Sequence, residues 1–499
     1  MTLTAPPEER MTKSRLLIVF VSLLLGMFVS AIDQMVVTTL SLSIVRDLAG
    51  AQAAGQTGWL VTTYMLASTA AMPLAGKISD LYGRKATYLG AMGLFVIGSL
   101  GAALAGDMVQ LTIARGIQGF GGGALVSATF AVLADLVSPR DRGKYQGGFG
   151  AVFASSSLLG PVIGGFFADG GKVLGITLDW HAVFALNIPL GLAAIAVNAF
   201  LLPHSPRRRN ARLDVVGAFL LVLGVCAGLL ALQWGGETYP WGSWQVLTLG
   251  VGGVLALIAF VFWERKAIEP ILPIRLFRER TFSMLNLGSL LCGLVVTGVL
   301  VFLTVYMQLA QHVSPTQAGL SLLPLSLGMV GASTVTGLLA SKFGRFRVFI
   351  LIGAPLLVLG GVLLATLTAG SSIWVVRGYA LILGIGAGMI QQMFVLGIQN
   401  SASNADLGVA TASSTFFRTL GSSLGGSVFG VLLTARLSAL GGAEHATPEI
   451  YVSAMHPVFL TAAGLAIVMF LITLLVPDRP LRDLDQDALA LAELGVHED

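Results

Sequence analysis

The sequence of 499 residues contains little charge. Asp, Glu, Lys and Arg make up 11% of it, against about 25% in soluble domains. Hydrophobic residues make up 55%, and the mean hydropathy is +0.85. So little charge cannot cover the surface of a water-soluble protein of this length, and a net charge of +4 offers no strongly basic surface to nucleic acid. The composition indicates a polytopic membrane protein without a nucleic-acid partner.

Cysteine and nucleotide-binding motifs are also scarce. The two cysteines, Cys226 and Cys292, lie in apolar runs far from any Cys/His cluster, which excludes a disulfide framework and a metal site. The chain has no GxxxxGK[ST] motif, and GFGGG (119–123) lies inside an apolar run without strand context. No set of nucleophile, base and acid is evident. We therefore expect no cofactor, no metal and no enzymatic activity.

Long hydrophobic runs are abundant instead. Windows of about 20 apolar residues, the length of an α-helix that crosses a bilayer, recur with short loops between them. They predict an all-α polytopic membrane protein with fourteen transmembrane helices, numbered spans 1 to 14. The runs begin near Ser14, Gln56, Ala86, Val109, Gly143, Trp180, Leu213, Trp244, Thr281, Pro315, Phe346, Trp374, Gly408 and Ala454.

Basic residues concentrate on one side of these spans. They are most frequent in the N-terminal arm, the tail and the loops after even-numbered spans, with four arginines in PRRRNAR (206–212) alone. The positive-inside rule makes this side cytoplasmic. Cleavage of span 1 as a signal peptide would leave thirteen spans and separate the termini. We therefore expect an uncleaved multi-pass protein of a bacterial cytoplasmic membrane with both termini in the cytoplasm.

The chain contains an internal repeat. GKISDLYGRK (76–85) after span 2 aligns with GLLASKFGRF (337–346) after span 10 at an offset of 261 residues. ARG in span 4 and VRG in span 12 repeat at 262. Paired six-span halves are typical of transporters, with the substrate site where the halves meet. The predicted domains are the arm 1–13, the first half 14–205, the linker with two inserted helices 206–280, the second half 281–476 and the tail 477–499.

Motifs along the whole chain resemble one transporter family. GKISDLYGRK resembles the signature loop of the major facilitator superfamily, and LTIARGIQGFGGG (111–123) its span 4 motif. AIDQMVVTTL (31–40) resembles the first-span motif of its 14-span branch, and DWHAVFALNIPLG (179–191) its span 6 motif, with His181 in place of the usual arginine. The resemblance implies the major facilitator fold, with two six-helix repeats and two inserted central helices.

Span 5 resembles the motif typical of the drug:proton antiporters in that family. The matching residues are Gly147, Gly160, Pro161, Gly164 and Gly165, with Ser156 where a glycine is usual. Gly160 and Pro161 remove one side chain and one backbone donor, so the helix can kink and pack tightly. An ordinary proline kink predicts the same shape, and the antiport direction is therefore implied by the resemblance alone.

The signature loop suggests a conformational latch. Gly76 permits close helix approach at the cytoplasmic face, and Asp80 can lie at a neighbouring helix N-terminus or accept an arginine. Gly83 and Arg84 complete the pattern. The resemblance implies a latch that favours the outward-facing state, whereas a charged turn that only sets topology is the alternative. The position equivalent to Asp80 in the second half is Ser341.

Asp33 lies at an unusual position for an acidic residue. Of the 25 Asp and Glu residues, it alone lies deep within a predicted span, where a carboxylate costs several kcal/mol, with estimates from about 3 to over 10. Arg115 in span 4 is predicted at a comparable depth and is the expected partner. A structural salt bridge is the alternative. We predict instead that Asp33 carries a proton, because its equivalent at the 261 offset is Leu294 and only one half has the acid.

Polar residues elsewhere in the spans suggest a substrate cavity. The candidates are Gln34, Gln118, Gln391, Gln392 and Arg418. Arg418 is the second deep cation, and a purely structural role is an equal alternative. The side of span 1 that carries Asp33 also carries small and partly polar residues, which predicts a water-filled cavity along that side. These residues are Ser22, Gly26, Ser30, Val37 and Ser41.

These features predict a proton-coupled secondary transporter that exports small lipophilic or monocationic compounds. Its expected partners are protons, small-molecule substrates and the lipid bilayer, and we expect it to act as a monomer. One alternative is a dedicated exporter of a single metabolite or lipid, or a proton symporter on the same fold. A channel or a membrane-embedded receptor is an alternative from another class. The sequence does not name the substrate.

Overall fold

The structure is a computed structural model, and it describes most of the chain. The described residues are 13–49, 57–137, 139–168, 172–173, 176–177, 179–203, 213–236, 238–403, 406–441, 447–478 and 480–481. Residues 1–12 of the predicted arm, the basic segment 206–212 and residues 482–499 of the predicted tail lie outside the described residues.

Within these ranges the chain forms sixteen helices and one short hairpin. The helices are α1 (Lys13–Ala49), α2 (Thr57–Tyr82), α3 (Arg84–Ala103), α4 (Met108–Leu136), α5 (Pro139–Ala168), α6 (Trp180–Leu201), α7 (Val215–Trp234), α8 (Trp244–Glu264), α9 (Ile274–Arg278), α10 (Arg280–Leu309), α11 (Pro315–Ser321), α12 (Leu323–Phe343), α13 (Arg347–Leu364), α14 (Ile373–Ser401), α15 (Leu407–Ala439) and α16 (Pro448–Leu474). The hairpin pairs β1 (Lys172–Val173) with β2 (Ile176–Thr177) in antiparallel register.

The predicted fold class is confirmed. In the described ranges thirteen helices are long and apolar enough to cross a membrane, and α2 is also long, at 26 residues, but more polar. Spans 1 to 8 are α1 to α8, span 9 is α10, and spans 10 to 14 are α12 to α16. The sequence reading missed α9, and it missed the separation of α11 from α12 at Leu322, where Pro324 in the first turn of α12 favours a new helix start.

Hydrophobic packing follows the order of the chain. One large buried cluster contains side chains of α10 and of the five helices α12, α13, α14, α15 and α16. Side chains of α2 and α7 also belong to it. Three smaller clusters are built mainly from α1 to α6. The predicted boundaries at 14–205 and 281–476 are consistent with this packing but stay a prediction.

Glycines allow the helices of each half to approach closely. A Cβ on Gly123 of α4 would collide with the backbone of Ser68 in α2, and one on Gly421 of α15 would collide with the backbone of Leu290 in α10. Backbone contact of this kind is how membrane helices associate, because lipid supplies no hydrophobic driving force between them. This explains why 62 glycines are compatible with a helical fold.

The halves meet at one end of the bundle. Met27 and Ala31 of α1 and Phe149 of α5 form a buried cluster with Val395 of α14. At the same end, a Cβ on Gly76 of α2 would lie 2.8 Å from the carbonyl oxygen of Gly408 in α15. This end carries Asp80 and is the predicted cytoplasmic face. The two halves are therefore closed against each other there.

The inserted helices α7 and α8 pack against each other and against both halves. Gly224 and Gly253 bring them together, while α7 contacts both α2 and α15. The linker that follows is tied down by two ion pairs. Lys77 Nζ lies 2.7 Å from Glu269 Oε2, and Arg275 Nη2 lies 2.7 Å from Asp406 Oδ1.

Candidate functional site

Asp33 lies near the middle of α1, and none of its side chain is exposed. Its carboxylate accepts three hydrogen bonds from two other helices. Arg115 Nη1 of α4 donates to Oδ2 at 2.5 Å, Gln118 Nε2 of α4 donates to Oδ1 at 3.1 Å, and Asn187 Nδ2 of α6 donates to Oδ1 at 2.6 Å. These four residues, together with Ser99 of α3, are called the Asp33 cluster.

Arg115 is as deeply buried as its partner, with 1% of its side chain exposed. Besides Asp33 it donates to Gln118 Oε1 at 2.6 Å and to the carbonyl oxygen of Leu60 at 3.4 Å. Its guanidinium carbon lies 4.3 Å from the ring centre of Tyr64. A desolvated cation is tolerable only with such partners. The predicted pairing of Asp33 with Arg115 is present in the structure.

Small residues create the space for this cluster. Gly98 of α3 packs against the backbone of Gln118, which brings Ser99 Oγ within 2.8 Å of Gln118 Nε2. Gly122 of α4 leaves room for Ser30 Oγ and the Tyr64 hydroxyl, which are 2.8 Å apart. The glycine-rich sequence of α4 therefore positions the cluster as well as packing the bundle.

The isolation of the cluster from water limits when Asp33 can exchange a proton. A carboxylate with no exposed surface can gain or lose a proton only after the surrounding helices open to water. Protonation would remove the charge that neutralises Arg115 and leave a buried, uncompensated cation, which is strongly unfavourable. A change in the protonation of Asp33 would therefore force the contacts between α1, α4 and α6 to rearrange.

Gln118 is fully buried, because it lies one turn from Arg115 on the same face of α4 and turns toward α1 and α3. Its role in a substrate cavity stays a prediction, and so does the water-filled cavity along α1. Two residues of that side of α1 contact neighbouring helices. Ser22 donates to Asn198 Oδ1 at 3.0 Å, and Gly26 packs against the Tyr88 hydroxyl.

The remaining cavity candidates fall into two groups. Gln34 and Gln391 are half-buried. Gln34 shares a face of α1 with Ala31, and Gln391 lies one turn before Val395 on α14, so both face the boundary between the halves. Gln392 is instead buried, and its Oε1 atom has no hydrogen-bond partner among the described residues.

Arg418 lies half-buried in α15. Within the described part of the chain it makes no hydrogen bond and no ion pair; its guanidinium carbon lies 5.7 Å from the ring centre of Phe153 in α5. Its backbone packs against Gly293 of α10. A deep cation without a counterion is rare in a membrane protein and usually faces a cavity or an interior. The structure therefore separates Arg418, near the boundary of the halves, from the Asp33 cluster.

The predicted latch residues meet the opposite half. Asp80 accepts from the backbone N–H groups of Gly408 and Val409 at 3.0 and 2.9 Å, at the N-terminus of α15. Arg84 donates to Asp80 Oδ1 at 2.5 Å and to Asp135 Oδ2 at 2.7 Å. Gly83, at a φ of 97°, separates α2 from α3 and lets Arg84 return toward Asp80. A carboxylate at a helix N-terminus is stabilised by the helix dipole.

The glycines of the antiporter motif lie along α5, which is continuous across Pro161. Gly160 and Gly164 pack against Met35 and Thr39 of α1, and Gly147 packs against Thr334 of α12 in the other half. An added Cβ at Gly165 would meet no atom within 4 Å. The motif therefore holds α5 close to α1 and to the second half, and a role in antiport stays a prediction.

Sequence reasoning missed several partners in these sites. Asn187 and Tyr64 join Asp33 and Arg115, and Asp135 joins the latch. A signal for Asn187 was available, because it is a lone amide within the apolar span 6 motif. Tyr64 and Asp135 gave no such signal, since aromatic residues and helix-end acids are common in membrane proteins.

Comparison with known proteins agrees with this architecture. Residues 23–426 match the family model described as Major Facilitator Superfamily. Multidrug transporter protein MdtP of Bacillus subtilis is 36% identical over 429 residues, which cover 86% of this chain and 77% of that protein. Multidrug resistance protein 3 of the same bacterium is 35% identical over 417 residues, which cover 83% and 79%.

A solved structure shows the same fold. The human organic anion transporter MFSD10 (TETRAN) superposes with a TM-score of 0.65 at 16% identity, and the match covers 94% of this chain and all of that one. The family resemblance inferred from the motifs is confirmed. This chain is an integral multi-pass membrane protein that belongs to the major facilitator superfamily.

Proposed function

We propose that this transporter is a proton-driven exporter of small lipophilic or monocationic compounds, with Asp33 as the proton carrier. The observation that carries the proposal is the fully buried ion pair between Asp33 and Arg115 in the first half. Intramembrane carboxylates generally mark ion pathways. The names of the Bacillus subtilis relatives, a multidrug transporter and a multidrug resistance protein, support export of varied compounds.

The proposed cycle alternates between two protonation states of Asp33. With the carboxylate ionised, its hydrogen bonds from Arg115, Gln118 and Asn187 hold α1, α4 and α6 together. A proton that enters from outside neutralises the carboxylate and frees Arg115. The halves then exchange access, Asp33 releases the proton into the cytoplasm, and substrate binds for export. One carboxylate holds one proton, so one proton is exchanged for one substrate molecule.

The latch determines which side is open. Asp80 bonds to the N-terminus of α15 only when the halves are closed at the predicted cytoplasmic face. Opening that face breaks two backbone hydrogen bonds to a charged acceptor, each worth about 1.5–3 kcal/mol. The latch therefore biases the exchange toward the outward-facing state. The proposal also includes a bacterial cytoplasmic membrane, cytoplasmic termini and action as a single chain.

The test measures both fluxes in proteoliposomes that contain the purified protein and a pH-sensitive dye. We expect ethidium to be concentrated against its gradient in a saturable way, with protons moving in the opposite direction. An uncoupler should abolish the concentration step. Proton movement in the same direction as ethidium would indicate a symporter, and non-saturable flux that ignores the uncoupler would indicate a channel; either result overturns the proposal. Transport of one compound from a broad panel would favour a dedicated exporter.

A further inference from the structure

A cavity of about 590 Å³ lies between the halves near the predicted outer face, and it is called the outer cavity. Its walls come from α2, from α10 and α15 of the second half, and from the end of α7 with the turn after it. Binding sites for drug-sized molecules usually measure about 300–1,000 Å³. The volume therefore suits a small organic molecule. Its wall does not include Asp33, Arg115 or Arg418.

Among the described residues, the lining of the outer cavity carries hydrogen-bonding groups but no charge. Thr62 of α2, Thr297 of α10 and Ser427 of α15 line it, and their hydroxyls have no hydrogen-bond partner among the described residues. Thr62 is 4% exposed and lines the cavity, so its hydroxyl can hydrogen-bond to a ligand or to water there. Met65 and Leu229 add apolar wall.

The turn after α7 borders this cavity at the predicted outer face. Gly235 and Gly236, directly after α7, pack beneath the indole of Trp241, which also lines the cavity. The ring of Trp234 lies 5.5 Å from that of Trp59 at the start of α2. Aromatic residues of this kind anchor helices at the membrane interface. The turn is thus held over the space between α2 and α15.

We propose that the outer cavity binds uncharged amphipathic substrates, with α7 and its turn as a wall of the site. A ligand with hydroxyl or carbonyl groups satisfies the unpaired hydroxyls, and its apolar body packs on Met65 and Leu229. A charged ligand finds no counterion among the described residues of this lining. The inference rests on the proposed export function for the biological role of the ligand, but binding itself needs no proton gradient.

Equilibrium binding of tritiated progesterone, a neutral steroid with two carbonyl groups, tests this inference on the purified full chain in lipid nanodiscs. Gly426→Phe is the main variant, because Gly426 lines the cavity and a Cβ added there meets no atom within 4 Å. The matched control is Gly464→Phe on the exposed side of α16, where an added Cβ also meets nothing. We expect saturable binding that weakens at least about tenfold in Gly426→Phe and stays unchanged in Gly464→Phe.

Ser427→Ala and Thr297→Val keep the test decisive if the phenylalanine variant does not fold. Each removes one hydrogen-bonding group at little change of volume, and each should weaken progesterone binding about threefold, in line with one neutral hydrogen bond. Absence of saturable binding, or unchanged affinity in the cavity variants that fold, overturns the inference. Because no gradient is applied, failure here leaves the proton-coupled flux of the wild type unaffected, so the two proposals are distinguishable.

Discussion

Two equivalent arginines have different environments in the two halves. Arg115 of α4 and Arg377 of α14 occupy the repeated ARG and VRG motifs. Arg115 is buried and paired with Asp33 at 2.5 Å. Arg377 is half-buried, donates to the Ser321 hydroxyl at 3.3 Å, and lies 4.7 Å from the ring centre of Trp374. The second arginine thus lies at the end of its helix, where an aromatic ring and a hydroxyl are sufficient partners.

Several residues in and around the Asp33 cluster, though not Arg115, have apolar equivalents in the second half. At the repeat offsets, Leu294 replaces Asp33. Leu291 stands for Ser30, Leu325 for Tyr64 and Ala380 for Gln118. The six-helix fold therefore does not need this polar cluster, since one half folds without it. A buried polar network that the fold can do without has a functional explanation, because it costs desolvation energy.

The largest effect should come from removing the carboxylate of Asp33, because the second half has no carboxylate at the equivalent position. We expect Asp33→Asn to reduce proton-driven accumulation of ethidium to the level of empty proteoliposomes, because an amide cannot carry the proton. Counterflow of ethidium without a gradient should persist. The control is Asp47→Asn, which changes an exposed carboxylate on the same helix. If Asp33→Asn still concentrates ethidium under a pH gradient, Asp33 is not the carrier.

The two arginines should differ in stability. Arg115→Gln leaves Asp33 as a buried charge without its partner, and we expect it to cost about 3–5 kcal/mol of unfolding free energy. Arg377→Gln should cost at most about 1 kcal/mol, because it removes a weak partly exposed contact. Chemical denaturation in detergent measures both. The double variant Asp33→Asn with Arg115→Gln should recover part of the unfolding free energy that Arg115→Gln loses. Equal losses of unfolding free energy in Arg115→Gln and Arg377→Gln would contradict the comparison.

Substrate charge gives a further contrast. The second half offers Arg418 and no deep acid, so one-proton exchange suits neutral and singly charged compounds. A matched monocationic and dicationic pair should show at least about tenfold slower export of the dication, measured as initial rates in proteoliposomes. For the monocation the pH gradient alone should suffice, because no net charge moves. Equal or faster export of the dication would show that a single carboxylate does not account for the coupling.

The smallest expected effect concerns the latch. Asp80→Asn weakens the bonds to the N-terminus of α15, and we expect turnover to fall about threefold to tenfold while substrate affinity stays the same. The equivalent position in the second half provides the control, Ser341→Ala, which should leave turnover unchanged. Turnover and affinity that both match the wild type in Asp80→Asn would favour a role in topology alone.

Much of this architecture was predictable, because a bilayer imposes a simple rule on sequence. Each crossing needs a long apolar run, so helix number and approximate ends follow from hydropathy, as the span starts at Trp180 and Trp244 illustrate. Depth along a helix follows from its rise per residue. This made Asp33 and Arg115 predictable partners. Two opposite charges at the same depth in the membrane have few other groups that could neutralise them.

Helix neighbours were not predictable in the same way. Hydropathy does not say which helix faces another, because apolar residues can face either lipid or protein. The sequence placed Gln118 and Arg115 on one face of α4, but only the packing of α3 and α6 showed that this face is fully buried and joined by Asn187. The outer cavity likewise depends on where α7 lies against α2 and α15. Tertiary structure alone decided these points, because glycine contacts between backbones, and not the apolar character of the helices, select which surfaces meet.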